Sequence, residues 1–513
     1  MEKYSKINST VTVGLEPELV DVEVDAGSGI PSLIIVGLPG KAVEESKERV
    51  RLAIKNSGFS FPQKKIVVNL APADVKKEGP IYDLPIAMGV LSAGGLIGRE
   101  KTDGMIFMGE LSLDGAIKPV KGVIQAAILA KKLNFPLVIP FDNLAEASLI
   151  PKIKILAVKN IKELLDKLMD ENFVFDETKK IVLKADEDFG DLDFANIVGQ
   201  AQAKRAFEIS ASGGHNILLD GSPGGGKTLL SRAMVSILPP LNEQEALDLT
   251  KIYSVAGLLT ADQPIVTRRP FRSPHHTTSS VAIIGGGSYP RPGEVSLAHR
   301  GVLFLDEFPE FPRSVLEALR QPLEDRVITV SRAQATLKLP ADFILVAAQN
   351  PCPCGYLGDP KHECNCPMNK IIAYKRRVSG PLLDRIDLHL KVGPLEKNPI
   401  SSVSVAESSR IVAKRVTKAR EIQEKRSLKL FKRSKLNSNL SKADLEKVAA
   451  LRDDSRKFLE DAAESLGFSM RSLIKVWRVS RTIADLSGDD MISPSHIAEA
   501  LGYRNQKEES YGI

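Results

Sequence analysis

Cysteine and aromatic residues are scarce in this chain of 513 residues. It has 4 cysteines and 1 tryptophan, and Phe, Trp and Tyr together make up 5% of it. So few cysteines exclude a small secreted scaffold stapled by disulfides. Glycine (37 residues) and proline (31 residues) are near their usual frequencies, which excludes collagen-like and low-complexity chains. The length predicts about three globular domains.

Long apolar runs are also missing. The longest uncharged, largely apolar stretch covers residues 84–98 and is bounded by Asp83 and Arg99. It is shorter than the roughly 20 residues that a membrane-spanning helix needs. The charged residues at the start of the chain are not followed by the apolar segment of a signal peptide. We therefore predict a cytoplasmic protein with no membrane partner.

Charge of neither sign dominates, with 70 Lys and Arg, 64 Asp and Glu and a net charge of +6. The basic residues concentrate in residues 410–442, where twelve Lys and Arg stand against two Glu. Such a block can contact the phosphates of a nucleic acid. A solvated helix face explains the same pattern equally well.

The hydrophobic pattern changes along the chain and predicts an α/β protein in four segments. Residues 1–168 alternate Val- and Ile-rich strands with helices, as in an α+β domain. Residues 169–193 are charged and have no sustained period, so we predict a linker. Residues 194–395 carry short, continuous apolar strands, typical of a parallel sheet buried on both faces. Residues 396–513 show only helical patterns.

A phosphate-binding motif lies between a predicted strand, residues 216–220, and a predicted helix, residues 229–237. The residues that match G-x-x-x-x-G-K-[ST] are Gly221, Ser222, Pro223, Gly224, Gly225, Gly226, Lys227 and Thr228. The backbone N–H groups of such a loop surround phosphate oxygens at a helix N-terminus. We expect Lys227 to contact the β- and γ-phosphates of ATP and Thr228 to bind Mg²⁺.

A second apolar strand supplies the carboxylates that this chemistry requires. The run VLFL at residues 302–305 is followed by Asp306 and Glu307. We expect Asp306 to lie in the Mg²⁺ shell and Glu307 to orient and deprotonate the attacking water. Together the two motifs predict ATP hydrolysis.

Three longer motifs carry a family resemblance. They are VSLAHRGVLFLDE (295–307), NPCPCG (350–355) and SGPLLDRID (379–387). These motifs resemble the magnesium-chelatase-like branch of AAA+ ATPases, and the whole chain is similar to the bacterial ComM/YifB family. The resemblance implies an AAA+ P-loop domain over residues 194–395, an N-terminal Lon-protease-like α+β domain and a C-terminal all-helical lid.

The resemblance also implies roles for three further residues. Asn350 would help to position the hydrolytic water. Arg385 would be an arginine finger for the γ-phosphate of a neighbouring subunit, and Arg471 would be a second sensor on the lid. A finger that acts on a neighbour requires an oligomer, so a homo-oligomeric ring, expected to be a hexamer, is implied. The alternative for Arg385 is a structural ion pair with Asp384 or Asp387.

Two insertions would face the pore of such a ring. The first runs from residue 271 through His275, His276 and the glycines at 285–287 to residue 293. The second is a predicted hairpin of residues 327–330 and 336–339, with its turn at 331–334. Adjacent histidine side chains point apart on most backbones, so we expect packing or ring contacts there and not a metal site.

The first domain resembles the proteolytic domain of Lon but lacks its catalytic pair. In Lon a serine follows a Lys-Asp-Gly-Pro stretch, whereas here the matching residues 77–80 are followed by Ile81. The run that matches the position of Lon's lysine, residues 121–124, ends in Ile124. A Ser–Lys mechanism needs both groups. We predict a protease-like fold without protease activity.

All the cysteines lie in one short segment, residues 352–366. They are Cys352, Cys354, Cys364 and Cys366, spaced C-x-C-x₉-C-x-C. A cytosolic setting disfavours disulfides, and four thiolates can form a tetrahedral structural Zn²⁺ site, with His362 as a substitute ligand. C-x-C is tighter than the usual C-x₂-C, so free thiols in a turn are the alternative.

These features predict an ATP-driven ring motor. The resemblance implies a DNA helicase that promotes branch migration during natural transformation, with single-stranded or branched DNA as its partner. One alternative is the motor subunit of a metal chelatase, which the Lon-like domain and the cysteine cluster disfavour. Another is an ATP-dependent switch that remodels a protein partner. Glu307 and Arg385 argue against it, because a switch can dispense with both.

Overall fold

The computed structural model describes residues 4–179, 190–260, 262–286, 291–332, 335–393, 407–449 and 451–504. The chain forms two compact units. The first unit comprises residues 1–184 and 242–267, and the second comprises residues 185–241 and 268–513.

Strands and helices alternate through most of both units. The strands are β1 Tyr4–Val13, β2 Glu16–Gly27, β3 Ser32–Val36, β4 Lys65–Ala71, β5 Ile106–Phe107, β6 Glu110–Leu111, β7 Ile117–Lys118, β8 Leu137–Pro140, β9 Lys154–Val158, β10 Asp176–Glu177, β11 Ile217–Asp220, β12 Phe271–Arg272, β13 Gly285–Gly286, β14 Arg291–Pro292, β15 Val302–Leu305, β16 Val327–Arg332, β17 Ala335–Pro340, β18 Ile344–Gln349 and β19 Leu388–Lys391. The helices are α1 Lys41–Asn56, α2 Asp83–Ala93, α3 Val123–Leu133, α4 Leu144–Ala147, α5 Ile161–Met169, α6 Ala201–Gly213, α7 Lys227–Ala233, α8 Glu243–Ala256, α9 Ser280–Ile284, α10 Glu294–Leu297, α11 Arg313–Ala318, α12 Arg320–Asp325, α13 Met368–Lys375, α14 Gly380–Leu383, α15 Ser409–Phe431, α16 Lys442–Val448, α17 Asp453–Leu466, α18 Met470–Ser487 and α19 Pro494–Gly502.

A mixed eight-stranded sheet forms the centre of the first unit. Its strand order is β10-β9-β8-β5-β1-β2-β4-β3, and the long strands β1 and β2 pair antiparallel over their full length. All residues of helix α2 are buried, and apart from Asp83 and Ser92 they carry no polar side chain. A helix with no polar face must lie inside a core, and α2 packs against β1, β2 and α1.

Helix α8 belongs to the first unit, although the sequence pattern places it within residues 194–395. The Ser254 hydroxyl accepts the backbone N–H of Gly122 at 3.1 Å, and Gln125 Nε2 donates to the Lys251 carbonyl oxygen at 2.9 Å. These hydrogen bonds join α8 to the start of α3, a long-range pairing that hydrophobic periodicity does not reveal.

Part of the predicted linker, residues 169–193, is ordered structure of the first unit. Strand β10 pairs antiparallel with β9, and Phe173 and Phe175 pack on the core beside it. Residues 180–189 of that segment lie outside the described residues.

The second unit is built on a five-stranded parallel sheet with the order β12-β15-β18-β11-β19. The predicted parallel sheet is therefore confirmed. The strand that leads into the phosphate-binding motif, β11, lies between β18 and β19. Because the strands are parallel, the residues that follow β11, β15 and β18 meet at one edge of the sheet.

The two predicted insertions form short antiparallel pairs, β13 with β14 and β16 with β17. Gly287 of the first insertion and residues 333–334 in the turn of the second lie outside the described residues.

Helices α15 to α19 account for most of the described residues from 407 to 504. Trp477 on α18 is buried, and its Nε1 donates to the Ala449 carbonyl oxygen at 3.1 Å. Residues 396–406 and 505–513 of the predicted C-terminal segment lie outside the described residues. Among the described helices, none combines the length and the apolar content needed to cross a membrane.

Candidate active site

The phosphate-binding loop depends on glycine at specific backbone positions. Gly224 and Gly226 both have φ near +80°, which side chains rarely adopt. At Gly221, a Cβ would lie 2.1 Å from the carbonyl oxygen of Val392 at the end of the neighbouring strand. The loop can therefore pass close to β19 and turn its N–H groups toward the start of α7, where an anion is favoured.

Lys227 points back over this loop. Its Nζ donates to Asn350 Oδ1 at 3.0 Å, to the Ser222 carbonyl oxygen at 3.2 Å and to the Gly221 carbonyl oxygen. Burial lowers the pKa of Lys227, and the charges of Asp306 and Asp220 oppose that shift. Residues 227 and 350 are far apart in sequence, and their pairing places the proposed sensor asparagine beside the phosphate-binding lysine.

Thr228 and Asp306 lie together, as the expected Mg²⁺ chemistry requires. Thr228 Oγ1 donates to Asp306 Oδ2 at 3.0 Å, and the backbone N–H of Glu307 donates to Asp306 Oδ1 at 2.9 Å. A hydroxyl and a carboxylate at this edge of the sheet suit Mg²⁺, which prefers oxygen ligands and retains several waters.

Glu307 has a partner that sequence reasoning missed. Its backbone is left-handed, with φ 50°, and its Oε2 lies 2.9 Å from His276 Nδ1. The His275 and His276 rings lie against each other, with centroids 4.1 Å apart, so the expectation that the two side chains point apart is wrong. No spacing rule links His276 to an acidic residue 31 positions later, and only the fold brings them together.

The four cysteines converge. Cys352 Sγ is 3.4 Å from Cys354 Sγ and 3.6 Å from Cys364 Sγ, and all four sulfurs lie within 4.8 Å of one another. This donor set fits a tetrahedral Zn²⁺ site. His362 makes other contacts, because its Nδ1 lies 3.3 Å from Asp359 Oδ1.

The cysteine loop packs directly on the phosphate-binding loop. At Gly355, which has φ +86°, a Cβ would lie 2.7 Å from Pro223 Cδ. The backbone N–H of Lys361 donates to Asp359 Oδ1 at 2.8 Å, and this hydrogen bond together with the nearby Ser222 hydroxyl holds the pKa of Asp359 below its usual value. A metal bound by the cysteines would therefore stiffen a segment that supports residues 222 and 223.

Arg385 and Arg471 lie at the opposite edge of the sheet. Both line a cavity of about 560 Å³ together with Asn216, which immediately precedes β11. The phosphate-binding loop follows the other end of β11, so the two arginines are placed away from this chain's own nucleotide loop. Arg385 Nη2 pairs with Glu324, and its Nη1 donates to the Pro381 carbonyl oxygen at 2.7 Å.

The alternative for Arg385, an ion pair with Asp384 or Asp387, differs from the contacts in the structure. Glu324 is an exposed residue, so the ion pair with Arg385 is open to exchange for another anion. Asp387 is instead occupied by buried partners, His215 and Lys475.

The two Lon-like positions in the first unit are aliphatic and packed. Ile124 on α3 is completely buried, and Ile81 packs against the same apolar cluster. The buried carboxylate of Glu146 accepts the Ile124 N–H at 3.1 Å, and burial raises its pKa.

Comparison with known proteins identifies the family. The chain is 41% identical over 505 residues to the competence protein ComM of Haemophilus influenzae, and the match covers 97% of each chain. It is 40% identical over 500 residues to the uncharacterized protein YifB of Salmonella typhimurium, covering 97% of this chain and 96% of that one. This chain belongs to the ComM/YifB family.

Family models match three parts of the chain. Residues 193–400 match magnesium chelatase, subunit ChlI; residues 22–143 match subunit ChlI of Mg-chelatase; and residues 406–504 match the C-terminal region of magnesium chelatase subunit ChlI. Shorter similarities are to Lon protease 2 of Bacillus subtilis, 30% over 169 residues, and to the DNA replication licensing factor mcm2 of Schizosaccharomyces pombe, 26% over 230 residues. These shorter matches cover 29% and 41% of this chain, and 30% and 26% of the two proteins. This member of the ComM/YifB family is an AAA+ ATPase.

Proposed function

We propose that this protein is an ATP-hydrolysing ring motor that acts on DNA as a branch-migration helicase. The predicted site residues lie at two opposite edges of the parallel sheet in the second unit. This placement is the observation that carries the proposal. The phosphate-binding edge holds Lys227, Thr228, Asp306, Glu307 and Asn350. The opposite edge holds Arg385 and Arg471. A complete centre then requires the arginines of a neighbouring chain.

Each group at the phosphate-binding edge has a distinct task. Lys227 exchanges its carbonyl and amide acceptors for oxygens of the β- and γ-phosphates. Thr228 and Asp306 hold Mg²⁺, which neutralises charge on those phosphates. Glu307 leaves His276 and accepts a proton from the attacking water, which Asn350 helps to orient. Arg385 of the neighbour stabilises the charge that develops on the transferred phosphoryl group.

A ring follows from an arginine finger that acts on a neighbour, and we propose a hexamer. Within each chain, we propose a Lon-like domain (1–168), a linker (169–193), the AAA+ domain (194–395) and a helical lid (396–513). The start of the linker, with β10, and the helix α8 pack with the first domain. Ile81 and Ile124 fill the positions of the Lon catalytic pair with packed aliphatic groups. The first domain then has no protease activity.

The basic segment supports a DNA partner. Within residues 410–442, Arg415 pairs with Glu407 and Glu208, and Arg426 pairs with Asp485. Five other basic side chains of α15 are exposed and fall on one helical face, which also carries Glu421. They are Arg410, Lys414, Lys418, Lys425 and Lys429. A row of exposed cations on one face suits contact with phosphates of nucleic acid.

The name of the Haemophilus influenzae relative, a competence protein, supports a role in natural transformation. The matches to magnesium chelatase subunit ChlI favour a second candidate, the motor subunit of a metal chelatase. Such a subunit would drive metal insertion through a separate catalytic partner and would have no need of DNA.

The deciding experiment is the ATPase rate with and without single-stranded, duplex and branched DNA. Lys227→Ala protein is the control for contaminating ATPase. We expect stimulation by single-stranded or branched DNA that weakens steeply with added salt, as phosphate contacts require. An ATPase that responds to none of the three DNA forms contradicts the DNA motor and favours the chelatase or switch alternative.

A further inference from the structure

We propose that Lys475 is a positioning residue that holds the finger segment, residues 385–387, against helix α18. The proposal rests on the proposed role of Arg385 as a finger. Lys475 makes no contact with the phosphate-binding loop among the described residues, and it would act on hydrolysis only through the arginine of its own chain at a neighbour's nucleotide.

The contacts of Lys475 converge on the two residues after Arg385. Its Nζ donates to the Ile386 carbonyl oxygen at 3.0 Å and lies 3.6 Å from Asp387 Oδ1. The lysine is buried, so its ammonium group has exchanged water for these partners. From the end of the described chain, Arg504 Nη1 donates to the same Ile386 carbonyl oxygen at 3.1 Å.

The opposite side of the finger segment is held by residues that precede β11. Asn216 Nδ2 donates to the Arg385 carbonyl oxygen at 3.1 Å. His215 Nδ1 lies 3.2 Å from Asp387 Oδ2, while its Nε2 lies 2.8 Å from Thr482 Oγ1 on α18. The segment is thus fixed between the sheet and α18, and Lys475 is the cation of α18 that donates a hydrogen bond to its backbone.

A buried ammonium group is costly unless it is paired. Burial lowers the pKa of Lys475 to about 8, against the attraction of Asp387. An apolar side chain of similar length would fill the same space without that cost. The charge therefore serves to orient Ile386 and Asp387, since those two groups are what it contacts.

Lys475 also relates the finger to the second proposed arginine. It lies four residues after Arg471 on α18, so the two side chains share one face of that helix, and both line the cavity that contains Arg385. Through Lys475, the helix that carries Arg471 holds the backbone that carries Arg385. We expect Arg385 and Arg471 therefore to keep a fixed spacing when they approach the phosphates of ATP bound by a neighbouring chain.

The test uses the full chain and a charge-free variant, Lys475→Met, with Lys475→Arg as the conservative control. We expect Lys475→Met to lower kcat about tenfold or more, because small misplacements of a catalytic group are costly. KM for ATP should stay near wild type, since the chain's own phosphate loop is intact. Lys475→Arg, which keeps the charge, should retain most of the wild-type kcat. Wild-type kcat in the Met variant overturns the proposal.

Mixing experiments separate positioning of the finger from a local packing defect. Lys475→Met chains mixed with Lys227→Ala chains should show more ATPase than the sum of the two measured apart, because the intact finger of one chain meets the intact loop of the other. Glu307→Gln mixed with Lys227→Ala is the matched control and should show no gain. A packing defect confined to the Lys475→Met chain's own loop would give no gain either, and would overturn the proposal.

The proposal and the finger assignment fail in different ways. If Arg385→Ala gains activity on mixing and Lys475→Met does not, only the role of Lys475 is wrong. If neither gains although mixed rings form, the finger assignment is wrong and this proposal falls with it. Should Lys475→Met fail to fold, Lys475→Gln, which keeps a hydrogen-bond donor but no charge, takes its place with the same expected outcomes.

The pH dependence of kcat is an independent test of the role of Lys475. Lys475 faces Asp387 on the finger segment, Asp384 just before it, His389 on β19, Arg478 on its own helix and Arg504 near the end of the described chain. His215 contacts Asp387 from the other side. The protonated form holds the segment, so kcat should fall as the pH rises through about 8. Lys475→Arg keeps its charge and should extend the plateau to higher pH. The same fall in both proteins overturns the proposal.

Discussion

Variants of two side chains in the nucleotide pocket should distinguish ATP binding from ATP turnover. Lys227 contacts the loop that receives the phosphates, while Glu307 lies just after β15, with its half-exposed carboxylate beside His276. We expect Glu307→Gln to keep ATP binding and to lose about 10²–10⁴ in kcat, the usual contribution of general base catalysis. Lys227→Ala should weaken binding itself.

Equilibrium binding of a fluorescent ATP analogue and steady-state phosphate release measure the two effects separately. The assignment of Glu307 is wrong if the Gln variant hydrolyses ATP near the wild-type rate, or if it loses ATP affinity as severely as Lys227→Ala does.

His276 gives a second prediction at this scale. It holds Glu307 Oε2 at 2.9 Å in the structure, and a carboxylate held there is less free to orient a water. We expect His276→Ala to raise the ATPase rate measured without DNA. The factor by which DNA stimulates the ATPase should therefore be smaller than in the wild type. His275→Ala is the matched control, because His275 contacts the His276 ring and not Glu307 in the described structure. Equal rates for wild type and His276→Ala would contradict the prediction.

At the scale of elements, continuous motifs were predictable and long-range pairings were not. The loop before Lys227 and the strand before Asp306 each show a local pattern with a chemical reason, and both form as expected. Strand β8 has four residues, all buried, and Pro136 precedes it, so it shows no alternation from which a strand could be predicted. The pairing of α8 with α3 and that of His276 with Glu307 depend on residues distant in sequence, which periodicity cannot report.

The cysteine loop is the element with the clearest independent test. Its four sulfurs already lie within 4.8 Å of one another, so we expect about one Zn²⁺ per chain, as a tetrahedral site of four thiolates requires. Elemental analysis of untagged protein measures this directly. His362→Ala should retain the metal, whereas Cys352→Ser should lose it. Protein without zinc, whose four thiols titrate freely in the native state, would refute the site.

Metal removal should also weaken ATP binding. Gly355 packs on Pro223, and Asp359 lies near the Ser222 hydroxyl, so a loosened cysteine loop withdraws support from the phosphate-binding loop. We expect a higher Kd for the ATP analogue after treatment with a chelator, restored by added Zn²⁺. Cys352→Ser protein, treated in the same way, should start with the weaker affinity and show no response. An unchanged Kd in metal-free wild-type protein contradicts this coupling.

At the scale of the whole molecule, we propose that two chains complete the hydrolytic centre. The phosphate-binding loop and Arg385 stand at opposite edges of one parallel sheet, so a chain alone cannot bring its finger to its own nucleotide. Arg385→Ala protein should therefore be inactive yet still bind ATP through its own Lys227 and Thr228. The loss should be about 10³–10⁵ in rate, as for other arginine fingers.

Mixing the two inactive proteins tests the arrangement between chains. A ring assembled from Arg385→Ala and Lys227→Ala chains contains interfaces at which an intact loop meets an intact finger, and these interfaces should hydrolyse ATP. ATPase activity should rise with the mixing ratio to a maximum near equal amounts, where such interfaces are most frequent. DNA unwinding should recover less than ATPase, because a ring with many dead sites cannot pass a strand steadily from subunit to subunit. Mass spectrometry of the intact assembly shows whether mixed rings form. If they form and no ATPase returns at any ratio, Arg385 does not act on its neighbour, and the ring-motor mechanism loses the contact on which it depends.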